Sequence, residues 1–203
     1  QEVINKFNLD WEIKRTQSVT PIIIMASLAD HCLNDLLYRI QSNDLNAVVK
    51  AIVSNHEQLK ERAEQYNIPF YFLPVTDLNR QDQEQKVIRI YKETKSELLV
   101  LARYMQILSS EFVAQYPNQI INIHHGFLPA FKGSKPYHKA WEKGVKMIGA
   151  TAHYVTSELD EGPIIEQDVE SVTHHCSIEE LVETGRDIER KVLLLAVQAH
   201  LEH

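Results

Sequence analysis

Short apolar runs rich in Val, Ile and Leu alternate along the chain with segments in which apolar residues recur at helical spacing. The apolar runs predict β-strands, and the amphipathic segments predict helices. Strands that alternate with helices favour a doubly wound α/β fold, in which a mostly parallel sheet carries helices on both faces. The predicted strands are 21–26, 47–54, 70–75, 98–103 and 120–124, and the predicted helices are 31–41, 57–66 and 81–95.

The pattern changes towards the C-terminal end. Runs 148–155 and 163–172 predict two further strands, joined by the turn-rich segment 156–162. Because so short a connection suits a hairpin better than a parallel crossover, we expect antiparallel strands in this part of the chain. A final helix is predicted to begin at Ser177, whose hydroxyl can form a capping box with Glu180.

Composition and charge narrow the classes of partner. The chain has 203 residues, 44% of them hydrophobic, and carries a formal net charge of −7. Phosphate backbones attract basic surfaces, so this charge argues against a nucleic-acid partner and favours a small molecule. No stretch approaches the ~20 apolar residues of a membrane helix, so no membrane partner is expected. Cys32 and Cys176 lack C-x-x-C spacing, which predicts a reducing cytoplasm.

Two segments differ in composition. Residues 19–203 can bury one continuous hydrophobic core, so we predict a single domain there. The polar run 1–18 is interpreted as a linker remnant that follows a preceding module.

A candidate catalytic group lies on and after the predicted strand 120–124. Alternate side chains of a strand share a face, so Asn122 and His124 point to the same side. An asparagine amide can donate a hydrogen bond to a developing oxyanion, and a histidine can move a proton between nucleophile and leaving group. Asp160 can stabilise the imidazolium and orient a water molecule if its turn folds back over His124. The pattern therefore suggests acyl transfer, with the acceptor open.

Each of these residues also has a structural interpretation. A histidine at a strand end is frequently a hydrogen-bonded structural residue, Asn122 can cap a turn, and Asp160 can build one. His153, on a predicted strand, is either a partner of the catalytic group or a buried structural histidine. The many histidines of the C-terminal half raise the question of zinc, but none has the H-E-x-x-H spacing, so no metal is predicted.

Glycine is absent where a nucleotide phosphate would be expected. All six glycines lie at or after Gly126, and residues 27–30, which follow the first strand, read Ser-Leu-Ala-Asp. A doubly wound fold usually holds a phosphate on a glycine-rich turn at this position, so dinucleotide or nucleoside triphosphate binding is not expected there. Polar residues do mark the carboxyl end of the fourth strand, at Arg103 and Tyr104.

Apolar and aromatic residues flank these polar positions and could line a cleft for a flat heteroaromatic ligand. Equally, such residues could belong to the core. They are Met105, Ile107, Leu108, Phe127, Leu128 and Phe131.

Several ordered motifs cover most of the chain. They are ADHCL at 29–33, LARYMQIL at 101–108, INIHHGFLPAF at 121–131, PYH at 136–138, GATAHYV at 149–155, LDEGPII at 159–165 and GRDIE at 185–189. With these motifs the chain resembles the formyltetrahydrofolate deformylases, which are relatives of the glycinamide ribonucleotide transformylases and share their formyltransferase fold.

The resemblance implies a reaction and a site. Asn122, His124 and Asp160 would be the catalytic set, and water would convert 10-formyltetrahydrofolate into tetrahydrofolate and formate. It implies a folate substrate, no cofactor and a homo-oligomer. The substrate-binding residues that it implies around the pterin are Tyr104, Met105, Gln106, Ile107, Leu108, Val155, Thr156 and Leu159.

The resemblance also raises alternatives. Members of the family typically carry an N-terminal ACT-type regulatory domain, which would precede residues 1–18. Gly126 stands where the family more often has serine, and Ser134 and Lys135 stand where Ala-Arg is common. Formyl transfer to an amine such as glycinamide ribonucleotide is the enzymatic alternative, although the missing glycine-rich turn favours hydrolysis. A folate-binding module without turnover is the other.

Overall fold

The structure, a computed structural model, describes residues 19–130, 133 and 136–202. The predicted linker remnant 1–18 and the departures at Ser134 and Lys135 lie outside the described residues.

Strands and helices follow one another in the predicted α/β order. Within the described residues there are seven strands and six helices. The strands are β1 Thr20–Ala26, β2 Ala47–Ser54, β3 Phe70–Phe72, β4 Leu98–Leu101, β5 Ile120–His124, β6 Met147–Tyr154 and β7 Ile164–Ser171. The helices are α1 His31–Gln41, α2 Lys60–Gln65, α3 Arg80–Glu93, α4 Ser110–Val113, α5 Pro136–Glu142 and α6 Ile178–Glu202.

One sheet contains all seven of these strands, in the order β3-β2-β1-β4-β5-β6-β7. Strands β1 to β5 are parallel, whereas β6 runs antiparallel to both β5 and β7. The prediction of a doubly wound, mostly parallel sheet with antiparallel strands near the C-terminal end is therefore confirmed. The order reverses between β1 and β4, which makes their carboxyl ends the topological switch point of the sheet.

The core lies on both faces of the sheet, because successive side chains of each buried strand point in opposite directions. Ile22 and Ile24 of β1 belong to the cluster that contains the apolar sides of α1 and α6. Ile23 and Met25 belong to the cluster formed with α3 and α4. Helices therefore cover both faces, as the alternating pattern predicts.

Several boundaries differ from the sequence-based prediction. Strand β3 ends at Phe72, not at residue 75, because it pairs with β2 only as far as Ser54, where β2 itself ends. Strand β4 ends at Leu101, and Arg103 beyond it has a φ of 64°, which is incompatible with a strand. Helix α5 was not predicted.

The beginning of α6 agrees with its predicted cap. The Ser177 amide donates to Glu180 Oε2 at 2.7 Å, and the Glu180 amide donates to Ser177 Oγ at 3.2 Å, so the capping box is confirmed. Among the described residues, no helix combines the length and the apolar character that crossing a membrane requires.

Candidate active site

Strand β5 places Asn122 and His124 at the wall of one cavity. Ile121 and Ile123, which alternate with them, are buried in the core cluster that faces α1 and α6. His124 is buried as well, but its ring lines the cavity together with the amide of Asn122. The alternation of a strand thus explains how one short segment contributes both to the core and to the cavity.

Asp160 approaches His124 from the loop between β6 and β7. Its Oδ1 lies 3.4 Å from His124 Nδ1, and its carboxylate is only 7% exposed. Asp160 has a φ of 59°, a left-handed conformation that turns the loop back towards β5. The Gly133 amide donates to Asp160 Oδ2 at 3.4 Å. The hydrogen bond with His124 lowers the pKa of Asp160 despite its burial, so the carboxylate is ionised at neutral pH.

His153 joins this group through the pairing of β5 with β6. The register places it directly opposite Asn122, and the two side chains meet, with Asn122 Nδ2 3.2 Å from His153 Nε2. His153 Nε2 also lies 4.0 Å from Asp160 Oδ1. Burial lowers the pKa of His153, so the ring is neutral at pH 7. His153 is thus a partner of the candidate catalytic group, which is one of the two interpretations that the sequence left open.

The cavity has a volume of about 280 Å³, and every residue of the predicted site lines it. Its apolar side includes Met105, Ile107 and Leu159, which expose more than half of their surface. Phe127 and Leu128, which were predicted to flank a cleft, are not among its lining residues, and Phe131 lies outside the described residues. The predicted residues that line it are Tyr104, Met105, Gln106, Ile107, Leu108, Asn122, His124, Val155, Thr156, Leu159 and Asp160.

Two interactions that the sequence did not reveal hold the loop after β4 against the cavity. At its start, the Met105 amide donates to Ser27 Oγ at 3.0 Å. At its end, Glu84 of α3 accepts hydrogen bonds from the Ser109 amide at 2.7 Å and from the Ser109 hydroxyl at 2.5 Å. Because both ends are fixed, the apolar residues between them can face a ligand with little loss of chain entropy.

His125 and Arg103 also line the cavity. Adjacent residues of a strand point to opposite faces, so His124 and His125 would face opposite ways if β5 continued through His125. Strand β5 ends at His124, however, and both rings line the cavity with centroids 5.5 Å apart. Burial and the neighbouring charge of Arg103 lower the pKa of His125 to about 3, so its imidazole is neutral at physiological pH.

The described residues contain one group with metal-like geometry, in which ligand atoms of His31, Cys32 and Glu189 lie within 4.8 Å of one another. Both oxygens of Glu189 are already engaged, one by His31 at 2.7 Å and the other by the Tyr137 hydroxyl at 2.8 Å. Arg103 Nε lies 3.4 Å from the oxygen that His31 contacts. Burial raises the pKa of the Cys32 thiol, which disfavours the thiolate a metal would need. This group is therefore better described as an internal ion-pair network.

The chain is similar to known proteins along almost its whole length. The Formyl transferase family matches residues 20–197. A formyltetrahydrofolate deformylase from Synechocystis sp. is 48% identical over 202 residues, which cover 100% of this chain and 71% of that protein.

Solved structures of formyltetrahydrofolate deformylases and of their relatives are also similar to this chain. A formyltetrahydrofolate deformylase from Pseudomonas syringae pv. tomato superposes with a TM-score of 0.94 at 46% identity, covering 99% of this chain and 67% of the other. A glycinamide ribonucleotide transformylase from Symbiobacterium toebii superposes with a TM-score of 0.82 at 26% identity, covering 89% and 86%. The deformylase is thus the nearer of these two structures in both sequence and shape.

Proposed function

Because the chain belongs to the formyltetrahydrofolate deformylases, we propose that it hydrolyses 10-formyltetrahydrofolate to tetrahydrofolate and formate, with Asn122, His124 and Asp160 as catalytic residues. The similarities to family members agree with the resemblance that the sequence motifs indicated. One observation carries the assignment of residues: the carboxylate of Asp160 contacts the His124 ring at the wall of the cavity that also contains the Asn122 amide.

The reaction needs an electrophile, a nucleophile and a proton for the leaving amine. Asn122 Nδ2 has two hydrogens, and the one not directed at His153 can donate to the formyl oxygen as it becomes an oxyanion. Asp160 is ionised, so it can orient the attacking water and stabilise His124 while that ring carries a proton. The water oxygen bonds to the formyl carbon while His124 accepts a proton from that water, the bond from the carbon to N10 breaks, and His124 donates the proton to N10. The products are formate and the free amine of tetrahydrofolate.

The lining of the cavity combines apolar and polar residues, which suits a folate. Apolar side chains of the loop after β4 and of the loop before Asp160 offer a surface for the flat pterin ring. The polar group lies next to this surface, so a formyl group attached near the ring system would reach Asn122 and His124. No cofactor takes part in this scheme.

Formate release from 10-formyltetrahydrofolate tests the proposal. We expect His124→Ala and Asp160→Ala to lower kcat by about 100-fold or more, since general acid-base catalysis contributes about 100- to 10,000-fold. Asp168→Ala is the matched control. Asp168 of β7 forms an ion pair with the exposed Lys191 of α6, and neither residue lines the cavity. Undiminished turnover in both active-site variants would overturn the assignment, and folate binding without any formate would indicate a non-catalytic module.

Formyl transfer to an amine is the second candidate, favoured by the structural similarity to glycinamide ribonucleotide transformylases. The same assay distinguishes the two reactions when an amine acceptor is added. Formylated amine that forms faster than formate would favour transfer. The homo-oligomeric state stays a prediction that light scattering of the purified protein would test.

A further inference from the structure

Four side chains from four different segments converge at the carboxyl ends of β1 and β4, the switch point of the sheet. They are His31 at the start of α1, Arg103 after β4, Tyr137 on α5 and Glu189 on α6, and we call them the switch-point cluster. Arg103 also lines the cavity that contains Asn122 and His124. The cluster is therefore continuous with the candidate active site.

Glu189 is the centre of the switch-point cluster. Its side chain is 1% exposed, its Oε2 accepts from His31 Nε2 at 2.7 Å, and its Oε1 accepts from the Tyr137 hydroxyl at 2.8 Å. Arg103 Nε forms an ion pair with the same Oε2 at 3.4 Å. Burial opposes ionisation of Glu189, but the hydrogen bond from His31 and the charge of Arg103 outweigh it and lower the pKa. The switch-point cluster thus contains a buried carboxylate, that of Glu189, and its positively charged partner, Arg103.

Close packing keeps the cluster in place. Tyr137 lies so near Gly185 of α6 that a Cβ at this glycine would fall 2.2 Å from the tyrosine ring. Only glycine at this position lets the ring reach Glu189 one turn further along the helix. The tyrosine hydroxyl therefore approaches the carboxylate through space that α6 leaves open.

The turn after β1 is closed as well. Ser27 Oγ donates to Asn55 Oδ1 at 2.6 Å and accepts from the Met105 amide, and the Ser27 amide donates to the Arg103 carbonyl at 3.2 Å. Doubly wound folds hold phosphate groups at this turn with backbone amides that point into an open crevice. Here a serine hydroxyl joins the ends of β1 and β2 to the loop after β4.

We propose that the switch-point cluster makes water the acceptor, because it occupies the side of the cavity from which an amine acceptor would approach the formyl carbon. This inference rests on the proposed function. The apolar residues of the cavity lining are assigned to the folate, so a second substrate has to lie against the polar part of the lining, which includes Arg103 and His125. A water molecule fits between these side chains and the formyl carbon, whereas an amine with a sugar phosphate requires the volume that Arg103 fills.

Arg103→Gly is the sharpest test. Arg103 has a φ of 64°, which glycine adopts at no steric cost, so the substitution removes the guanidinium without straining the loop. Lys95→Gly is the matched control, because Lys95 is an exposed cation with a φ of 51° that follows α3, outside the cavity lining. The probes are glycinamide, a small amine without phosphate, and glycinamide ribonucleotide. Formate and the formylated amine are measured in the same reaction, the latter by mass spectrometry.

We expect wild type and Lys95→Gly to form formate and almost no formylated amine. In Arg103→Gly, the ratio of formylated amine to formate should rise by about 10-fold or more, as is usual when a pocket gains the volume of a side chain. Glycinamide should gain more than glycinamide ribonucleotide, since the turn at 27–30 still lacks a glycine-rich phosphate site. Glu189→Gln, which releases Arg103 from its ion pair, should change the ratio in the same direction by a smaller factor.

The outcomes separate this inference from the proposed function. Wild-type protein that releases no formate would overturn the proposed function itself. Wild-type protein that releases formate, with an unchanged product ratio in folded Arg103→Gly, would overturn only the role of the cluster. If circular dichroism shows that Arg103→Gly does not fold, Glu189→Gln decides by the same criterion.

Discussion

Asn122 of β5 and His153 of β6 face each other across two antiparallel strands, with Asn122 Nδ2 3.2 Å from His153 Nε2. His153 Nδ1 lies 2.9 Å from the Tyr154 carbonyl, which can only accept, so Nδ1 carries the proton. In the neutral ring Nε2 is then the acceptor, and it holds one hydrogen of the Asn122 amide. The register of the sheet thus determines which way the amide turns, and its second hydrogen is left for the cavity.

Substitution of His153 should affect the chemical step more than substrate binding. In His153→Ala the Asn122 amide loses the acceptor that orients it, so we expect kcat for formate release to fall by about 10- to 100-fold, with little change in KM. His153→Gln should recover part of the loss, because its amide oxygen can accept from Asn122. His200→Ala is the control, since His200 bonds the Tyr154 hydroxyl instead. A fall in stability without any effect on kcat would contradict the positioning role.

Gly162 is predicted to be essential for the position of Asp160, which lies two residues earlier. A Cβ at Gly162 would fall 1.7 Å from the Tyr154 carbonyl oxygen, so the loop that carries Asp160 would have to move. We expect Gly162→Ala to lower formate release by about 10-fold or more, since small displacements of catalytic groups have large effects. Gly144→Ala is the matched control.

Gly144 has a φ of 62°, and no atom lies within 4 Å of the position that a Cβ would take there. Its substitution by alanine should cost about 1 kcal/mol of stability through backbone strain and leave formate release as in wild type. Urea unfolding and the formate assay, run on both variants, separate the two effects. Equal activity in Gly162→Ala and Gly144→Ala would mean that the position of the loop that carries Asp160 does not limit formate release.

The exposed apolar residues of the cavity should act in substrate binding. Ile107 is 56% exposed at the cavity wall, and a bound pterin would cover it. We expect Ile107→Asn to raise KM by about 10-fold, because burying an unpaired amide is unfavourable, while kcat changes little. Leu78→Asn provides the control, since Leu78 is 98% exposed and lies outside the cavity lining. Equal KM values for the two variants would place the ligand elsewhere.

Much of the fold could be predicted because local patterns determine it. Strands β2 and β5 and helix α1 have the predicted bounds, since apolar β-branched runs and helical periodicity need no information about distant contacts. Helix α5 has no such signal: it is short, begins with Pro136, and its burial depends on contact with α6. Tertiary packing, not local periodicity, stabilises it.

The candidate site could be predicted only in part, for the same reason. That Asn122 and His124 share a face follows from the period of a strand. The contact of Asp160 with His124 requires in addition that β6 pairs antiparallel with β5 and that Asp160 adopts a positive φ, neither of which the spacing reveals. Glu189 is one of many acidic residues in a long helix, and its burial becomes evident only when Tyr137 and Arg103 are seen around it.

Acid should destabilise the protein partly through His125. Burial, with the charge of Arg103 next, lowers its pKa from the ordinary 6.5 to about 3 in the folded state. Between these values the unfolded chain binds one more proton at His125 than the folded chain does, so stability is fully present above pH 6.5 and falls as the pH drops. At pH 5 this residue should therefore account for about 1–2 kcal/mol of lost unfolding free energy relative to pH 7.

His125→Asn removes this proton uptake and keeps a polar group of similar size at the position. We expect the difference in unfolding free energy between pH 7 and pH 5, measured by urea denaturation, to be about 1–2 kcal/mol smaller in the variant than in wild type. Glu189 and Asp160 contribute little to this comparison. Their pKa values in the folded protein lie below the ordinary 4.5 and 3.8, so the stability that these carboxylates contribute is lost mainly below those pH values. An identical loss in wild type and His125→Asn would show that the imidazole is protonated in the folded protein, with its charge balanced by the neighbouring carboxylates of Glu189 and Asp160.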